Sequence, residues 1–414
     1  MSKSRILLDG LIFLVLAACG SGESKPSSSN PDAGDSDSSE DANYQLLRYS
    51  LDRSALPNLY YHDLTLIIDV GTITSAIVLA DGVAIPHRYE ADLQKLIVTT
   101  EASALEVYVA NATNPAGFGD FEVAPLYDDK RWAWSQGFDD NSLYTESVDA
   151  YKELGYQATV FMIGELIDDS RTEYWIVDAS SGTDPSNNNY VTGLKELSEL
   201  EWGIGNHGWG PASSCNDSAD LEWEVLRENQ RLLEIIAQSN NPTYKPIAVA
   251  APCFLGQYQG IVADLRDHGT DRTGFTSTPI YLQFNESGNL EVPYITDSET
   301  DYSQGSVTAK AFSFDTAVSR DYRIEDSVSL ITDMFDWMSA NADSEHHFWY
   351  NTLSHGGHND KVIAVLNYAD SHYGSAGSDE AWIAPSDRIY SYLMHRDQAI
   401  VSFDGLSNAS PPKQ

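Results

Sequence analysis

Two rhythms of apolar and polar residues divide the chain. From Leu64 to Val123 the apolar residues come in short, β-branched runs: Leu64-Thr-Leu-Ile-Ile, Ser75-Ala-Ile-Val-Leu, Lys95-Leu-Ile-Val-Thr and Leu105-Glu-Val-Tyr-Val. Turn residues such as Asp81-Gly82 and Asn114-Pro115 separate them. Short strands at this spacing predict a small all-β module over residues 60–125. From Arg131 the rhythm changes. Strand-like runs at Arg131–Phe138, Ala158–Ile163, Trp202–Asn206 and Ile247–Ala251 alternate with helical patterns. The helices are expected at Leu143–Leu154, stopped by Gly155, at Ser218–Gln238, and from Ala251 to about His268. Repeated β-α units predict a parallel sheet or barrel over residues 131–405, with its chemistry at the carboxyl ends of the strands.

The first 45 residues follow neither rhythm. Lys3 and Arg5 precede an apolar stretch, Ile6 to Leu16, that is interrupted by Asp9 and ends in Leu16-Ala17-Ala18-Cys19-Gly20. The stretch is too short to span a bilayer, which takes about 20 apolar residues. Small residues before a cut suit a signal peptidase, and a Cys directly after Leu-Ala-Ala resembles the lipobox of bacterial lipoproteins. Residues 1–18 are thus expected to be a signal peptide and Cys19 a lipidated new amino terminus. Gly20 is not an inner-membrane retention signal, so the expected location is the outer membrane, facing the periplasm or the exterior. Residues 19–45, rich in Ser, Asp, Pro and Gly, cannot bury a core and are expected to form a flexible tether. Ser21–Asn43 would reach roughly 25–30 Å.

Composition narrows the partners. Of 414 residues, 62 are Asp or Glu and 24 Lys or Arg, a net charge of −38. Such a surface repels phosphate backbones and excludes nucleic acid as an expected partner. Hydrophobic residues make up 42% of the chain, enough for a sizeable core.

The residues after the predicted strands carry the chemistry. Gly137-Phe138-Asp139-Asp140-Asn141 follows the first strand of the α/β region. Of two adjacent carboxylates, one can hold a cation while the other takes a proton from water. Gly205-Asn206-His207-Gly208-Trp209 follows the third. Phe348–Leu353 is a further strand, followed by Ser354-His355-Gly356-Gly357-His358, and a His there can act as a general acid.

The order of these pieces, from Arg131 to Ser402, resembles the polysaccharide deacetylase (NodB-like) domain of carbohydrate esterase family 4. Phe138-Asp139-Asp140 is similar to the family's first motif, Thr-Phe-Asp-Asp-Gly. Gln157–Gly164 resembles the Ala-Thr-Phe-Phe strand after it, and Ile204-Gly205-Asn206-His207 the start of the second motif. Ala250-Ala251-Pro252-Cys253-Phe254 stands where the third motif belongs, and Leu353-Ser354-His355 matches the Leu-x-His motif. Trp382–Pro385 and Ile389–Leu393 resemble the closing strand and helix. The resemblance implies an α/β fold, a distorted, incomplete (β/α) barrel of the polysaccharide deacetylase type, here preceded by the small all-β module. It implies hydrolytic removal of acetyl groups from an extracytoplasmic glycan, assisted by a divalent metal, zinc. Asp139 would be the base and His355 the acid. Asp140 and His207 would be metal ligands. Leu353 would line the acetyl-methyl pocket, backbone N–H groups at Cys253 and Phe254 would face the oxyanion, and Trp209 would stand on the substrate side.

Two positions depart from the family pattern. Its second motif has another His four residues after the first, where this chain has Pro211. Ser213, Ser214, Cys215, Asp217 and His358 are the candidates to complete a metal site, for which three protein ligands plus water are usual. The Arg of the third motif is replaced within Val249-Ala250-Ala251. Cys215 and Cys253 are the remaining cysteines after Cys19, and an even pair in an oxidising compartment predicts a disulfide. Two other readings accommodate the departures: a glycan-binding member without turnover, and a metal-independent amidase of the wider superfamily.

Overall fold

The computed structural model describes residues 43–54, 60–113, 115–139, 143–164, 167, 190–208, 221–246, 248–250, 282–284, 290–291, 299–304, 307–312, 322–323, 328–344, 346–354 and 358–412. Residues 43–414 belong to one compact unit.

The first part is a sandwich of two antiparallel sheets. Its strands are β1 (Tyr44–Asp52), β2 (Leu64–Asp69), β3 (Ser75–Ala80), β4 (Val83–Ala84), β5 (Arg88–Glu90), β6 (Lys95–Thr100), β7 (Ala104–Ala110) and β8 (Phe121–Val123). One sheet runs β5-β6-β2-β8. The other runs β1-β7-β3-β4 and gains β20 (Ile400–Asn408) on the far edge of β1. The strand pattern read between residues 64 and 123 is therefore framed by two strands from outside it. Leu47, Leu66, Val98 and Val107 meet between the sheets in one buried cluster, as expected where alternate side chains of facing strands point inward.

The second part has the α/β architecture expected from the β-α rhythm. Its strands are β9 (Trp132–Phe138), β10 (Thr159–Met162), β11 (Gly203–Asn206), β12 (Ala248–Ala250), β13 (Leu282–Phe284), β14 (Leu290–Glu291), β15 (Glu299–Gln304), β16 (Val307–Phe312), β17 (Tyr322–Arg323), β18 (Phe348–Ser354) and β19 (Ala381–Ile383). The order is β14-β13-β12-β11-β10-β9-β18-β17, all parallel except the β13–β14 pair, while β15 and β16 form a separate hairpin. Among the described strands the sheet does not close. β9 is its centre: β18 pairs with its whole length on one edge, while β10 and β19 share the other.

Among the described residues six α-helices accompany the strands: α1 (Thr145–Leu154), α2 (Tyr190–Glu199), α3 (Leu221–Ile236), α4 (Val328–Asn341), α5 (Asn359–Tyr373) and α6 (Ser386–Gln398). α1 ends where Gly155 adopts φ 78°, the left-handed turn that glycine makes without Cβ strain. The helix expected after Ala251 lies outside the described residues. No helix among the described residues is long and apolar enough to cross a membrane.

The two-residue strand period sorts the sheet's faces. Trp132, Trp134, Phe138, Val160, Met162, Ile204 and Tyr350 pack outward in one core cluster with helix residues. Ala133, Phe161, Trp349 and Trp382 point inward and pack with α6. Phe161 lies across the bare backbones of both neighbouring strands. A Cβ at Gly205 would fall 2.4 Å from its ring and one at Gly137 2.9 Å, so the ring lies where only glycine permits it.

Candidate active site at the carboxyl ends of the parallel strands

Asp139 directly follows β9, and its backbone N–H donates to Ser354 O at 3.0 Å, continuing the β9–β18 ladder one residue past the strand. It is 5% exposed. The period of two puts it on the inner face with Gly137, and Leu353, opposite Gly137, shares that face. His207 directly follows β11 and is equally buried, its N–H bonded to Met162 O at 2.7 Å. By the same period it points inward with Gly203 and Gly205. The Nδ1 of His207 faces Ala250 O, at the end of β12, at 2.8 Å. A carbonyl can only accept, so this contact assigns the proton to Nδ1 and leaves Nε2 as the nitrogen able to ligate. Behind His207, Gly208 donates its N–H to Asn206 Oδ1 at 2.8 Å and accepts from Gly164 N–H at 3.0 Å.

Val160 is level with Phe138 on one side and with Ile204 on the other. Asp139 and His207 therefore stand two strand spacings apart, roughly 10 Å across the sheet. They share one rim and one face. Such a pair can flank a small acyl group from two sides. Among the described residues no group of three His, Cys, Asp or Glu gathers to hold a metal ion. Asp140, Trp209, Cys215, Cys253, Phe254 and His355, like Pro211 and Cys19, lie outside the described residues.

Inside the sheet, below this rim, is a polar ladder that the sequence analysis missed. Trp349 Nε1 donates to Ser135 Oγ at 2.9 Å, and Ser135 Oγ donates to Asn351 Oδ1 at 2.8 Å. At the amino-terminal ends of the strands, Ser386 N–H donates to Thr159 Oγ1 at 3.0 Å, and Tyr244 donates its hydroxyl proton to Asp387 while accepting from Ile204 N–H at 2.7 Å. Burial pushes the Asp387 carboxyl up to about 6, with the Tyr244 hydrogen bond opposing. The available signal was the pair of polar residues inside the otherwise apolar run Trp-Ala-Trp-Ser-Gln-Gly-Phe.

No family model matches the chain, and no curated protein matches it. Among solved structures it is similar to the Xyl-CE4 domain of a multidomain xylanase from the hindgut metagenome of Trinervitermes trinervoides, with 12% identity over 62% of this chain and 89% of that one and a TM-score of 0.33. It is also similar to the peptidoglycan deacetylase PdaC from Bacillus subtilis (14% identity, 64% of this chain and 93% of that one, TM-score 0.32). A third is the polysaccharide deacetylase Bc1974 from Bacillus cereus (12% identity, 57% and 84%, TM-score 0.29).

Proposed function

We propose that the protein is a glycan deacetylase, removing acetyl groups from an extracytoplasmic polysaccharide or oligosaccharide, N-acetyl groups foremost. The observation that carries this reading is the inward pair of buried side chains at one rim of a parallel sheet, Asp139 after β9 and His207 after β11. Asp139 takes a proton from water as the water oxygen bonds to the acetyl carbon. The carbon–nitrogen bond then breaks, and His355 gives its proton to the leaving nitrogen, so that acetate and a free amine depart. An ester substrate differs only in its leaving oxygen. Leu353, on the same inner face, suits the acetyl methyl group, and the backbone N–H groups of Cys253 and Phe254 are the donors assigned to the oxygen that gains charge. Trp209 is assigned a substrate-binding role.

A divalent cation, zinc, fits His207 as oriented, because the Ala250 carbonyl fixes its tautomer. His207 and Asp140 would hold it, and when bound it would polarise the acetyl carbonyl. With Pro211 in place of a further His, the expected site is weaker than a three-ligand one. Pro211 also favours a second reading, a member that binds glycan without turning it over.

Acetate release from chitooligosaccharides, peptidoglycan and acetylxylan tests the first reading. Mild chelation should abolish release and added zinc or cobalt restore it. Full activity after stringent chelation would reject the cation, and no acetate from any substrate, with or without metal, would leave the binding-only reading. Lipidation at Cys19 places the enzyme on the cell envelope, with Cys215 and Cys253 joined as a disulfide. The Cys19→Ser protein should partition into the aqueous phase of a detergent extract, and persistence in the detergent phase would refute the lipid anchor.

A further inference from the structure

At the opposite end of the sheet, two cavities of about 300 and 390 Å³ open on either side of Tyr127 and Asp128, which line both. One continues over the sandwich past Arg88 and Thr99, and the other runs into the α/β part past Tyr156, Gln157 and Asp379. Each lies near the lower bound of small-ligand sites, about 300–1,000 Å³. Lys130 lies two residues before β9, Gln157 two before β10 and Asp379 two before β19, so the second cavity is at the amino-terminal strand ends. The seven residues of β9 separate it from Asp139, roughly 20 Å at the usual rise per residue.

The walls are fixed before any ligand arrives. Arg88 grips the Asp128 carboxylate through both oxygens at 2.9 Å and its backbone carbonyl at 3.0 Å, and Thr65 Oγ1 accepts from Asp128 N–H at 2.9 Å. These bonds hold Asp128 and Asp129 at φ 53° and 57°, consecutive left-handed residues that non-glycine chains adopt at a cost. Lys130 bridges Asp128 at 3.3 Å and Asp379 at 2.7 Å. Tyr127 stacks on Trp382 with ring centroids 5.3 Å apart, and its hydroxyl has no hydrogen-bond partner among the described residues.

The geometry points to this groove as a second glycan-binding site, which holds an uncharged stretch of polysaccharide against the sandwich while another part of the polymer meets the strand ends. The choice of ligand rests on charge and shape. The cations Arg88, Lys130 and Arg388 are matched by Asp128, Asp379 and Asp63, which leaves no surplus to bind a phosphate or a metal ion. The walls mix hydroxyl, carboxylate, guanidinium and amide groups with apolar side chains such as Pro86, Ile97 and Trp382, a mixture that suits the hydroxylated edges and apolar faces of a sugar chain. Two cavities that share Tyr127 and Asp128 offer room for more than one sugar unit. The inference takes its ligand class from the deacetylase reading, but the groove and that reading fail separately.

The test uses the full chain with acetylxylan and N-acetylated chitooligosaccharides as binding probes, and 4-nitrophenyl acetate as a small ester that needs no groove. Gln157→Trp fills the second cavity. It should weaken binding to both glycans by at least about tenfold, a loss of about 1.4 kcal/mol, and raise KM for polymer while small-ester turnover stays at the wild-type value. Tyr127→Phe keeps the stack on Trp382 and removes one hydroxyl, for an expected loss of about two- to tenfold. Undiminished glycan binding by both variants, or no glycan binding by the wild type, overturns the groove. Glycan binding that falls in both variants, in a protein releasing no acetate from any substrate, supports the groove and sinks the deacetylase reading instead.

Discussion

At the amino-terminal end of the parallel sheet, named side chains bond to one another: Tyr244 to Asp387, and Arg388 to Asp63 at 3.0 Å across to the sandwich. At the carboxyl end, Asp139 and His207 are held by the main chain, through Ser354 O, Met162 O and Ala250 O. The difference separates two tasks. A buried side chain locked to another side chain rigidifies a floor. One that directly follows a strand, as Asp139 and His207 do, is set by the ladder it continues, at the rim where a ligand would enter. Substitutions at the rim should therefore remove activity and spare stability, and those deeper in the sheet should do the reverse.

The largest expected effect is at the rim. Asp139→Asn keeps size and shape but cannot take a proton from water, and it should lower acetate release by about 10²–10⁴-fold while Tm moves little. Wild-type turnover by this variant on a confirmed substrate would remove Asp139 from the mechanism. Next comes the sheet interior. Phe161→Ala empties the space over Gly137 and Gly205 and should cost about 3–5 kcal/mol of stability, read as a drop in the urea midpoint. A midpoint within error of wild type would mean that the ring does not couple the three strands.

Much of this division was legible in the sequence because strand ends announce themselves. Arg131–Phe138 and Phe348–Leu353 read as strands from their apolar runs, each within a residue of the observed bounds, and Asp139 and His207 stood directly after strands. The floor was hidden because its partners are remote: Tyr244 and Asp387 lie 143 residues apart. β20 was hidden for the same reason. It pairs with β1, about 350 residues earlier in the chain, as Leu51 does with Val401, and its side chains are mostly exposed, so it leaves little alternation to read. The polar ladder of Ser135 and Asn351 broke the apolar pattern expected of a buried strand, and only the facing strand explains it.

The smallest expected effect tests the floor through pH. His395, fully buried on α6 and stacked on His62 at 5.2 Å, has its pKa lowered to about 3 by burial, with the His62 and Arg53 charges adding to it. Unfolded, a His takes a proton near pH 6.5. The unfolded chain thus binds more protons below that pH, and stability is lost as pH falls from about 6.5 toward 3. Asp387 has the opposite sign. Its native carboxyl holds a proton up to about 6 against 3.8 unfolded, so its share of stability is present at low pH and lost as pH rises through that window. Between pH 7 and pH 5 the His395 loss is about 2 kcal/mol and the Asp387 gain about 1 kcal/mol. The wild type should therefore weaken only slightly from this pair on acidification. His395→Phe keeps a stacked ring and should turn that slope into a gain, while Asp387→Asn should steepen the loss. Urea midpoints of the three proteins at pH 5 and pH 7 decide it. The other titrating groups are common to all three, so parallel shifts would show that neither buried group sets the pH response of the floor.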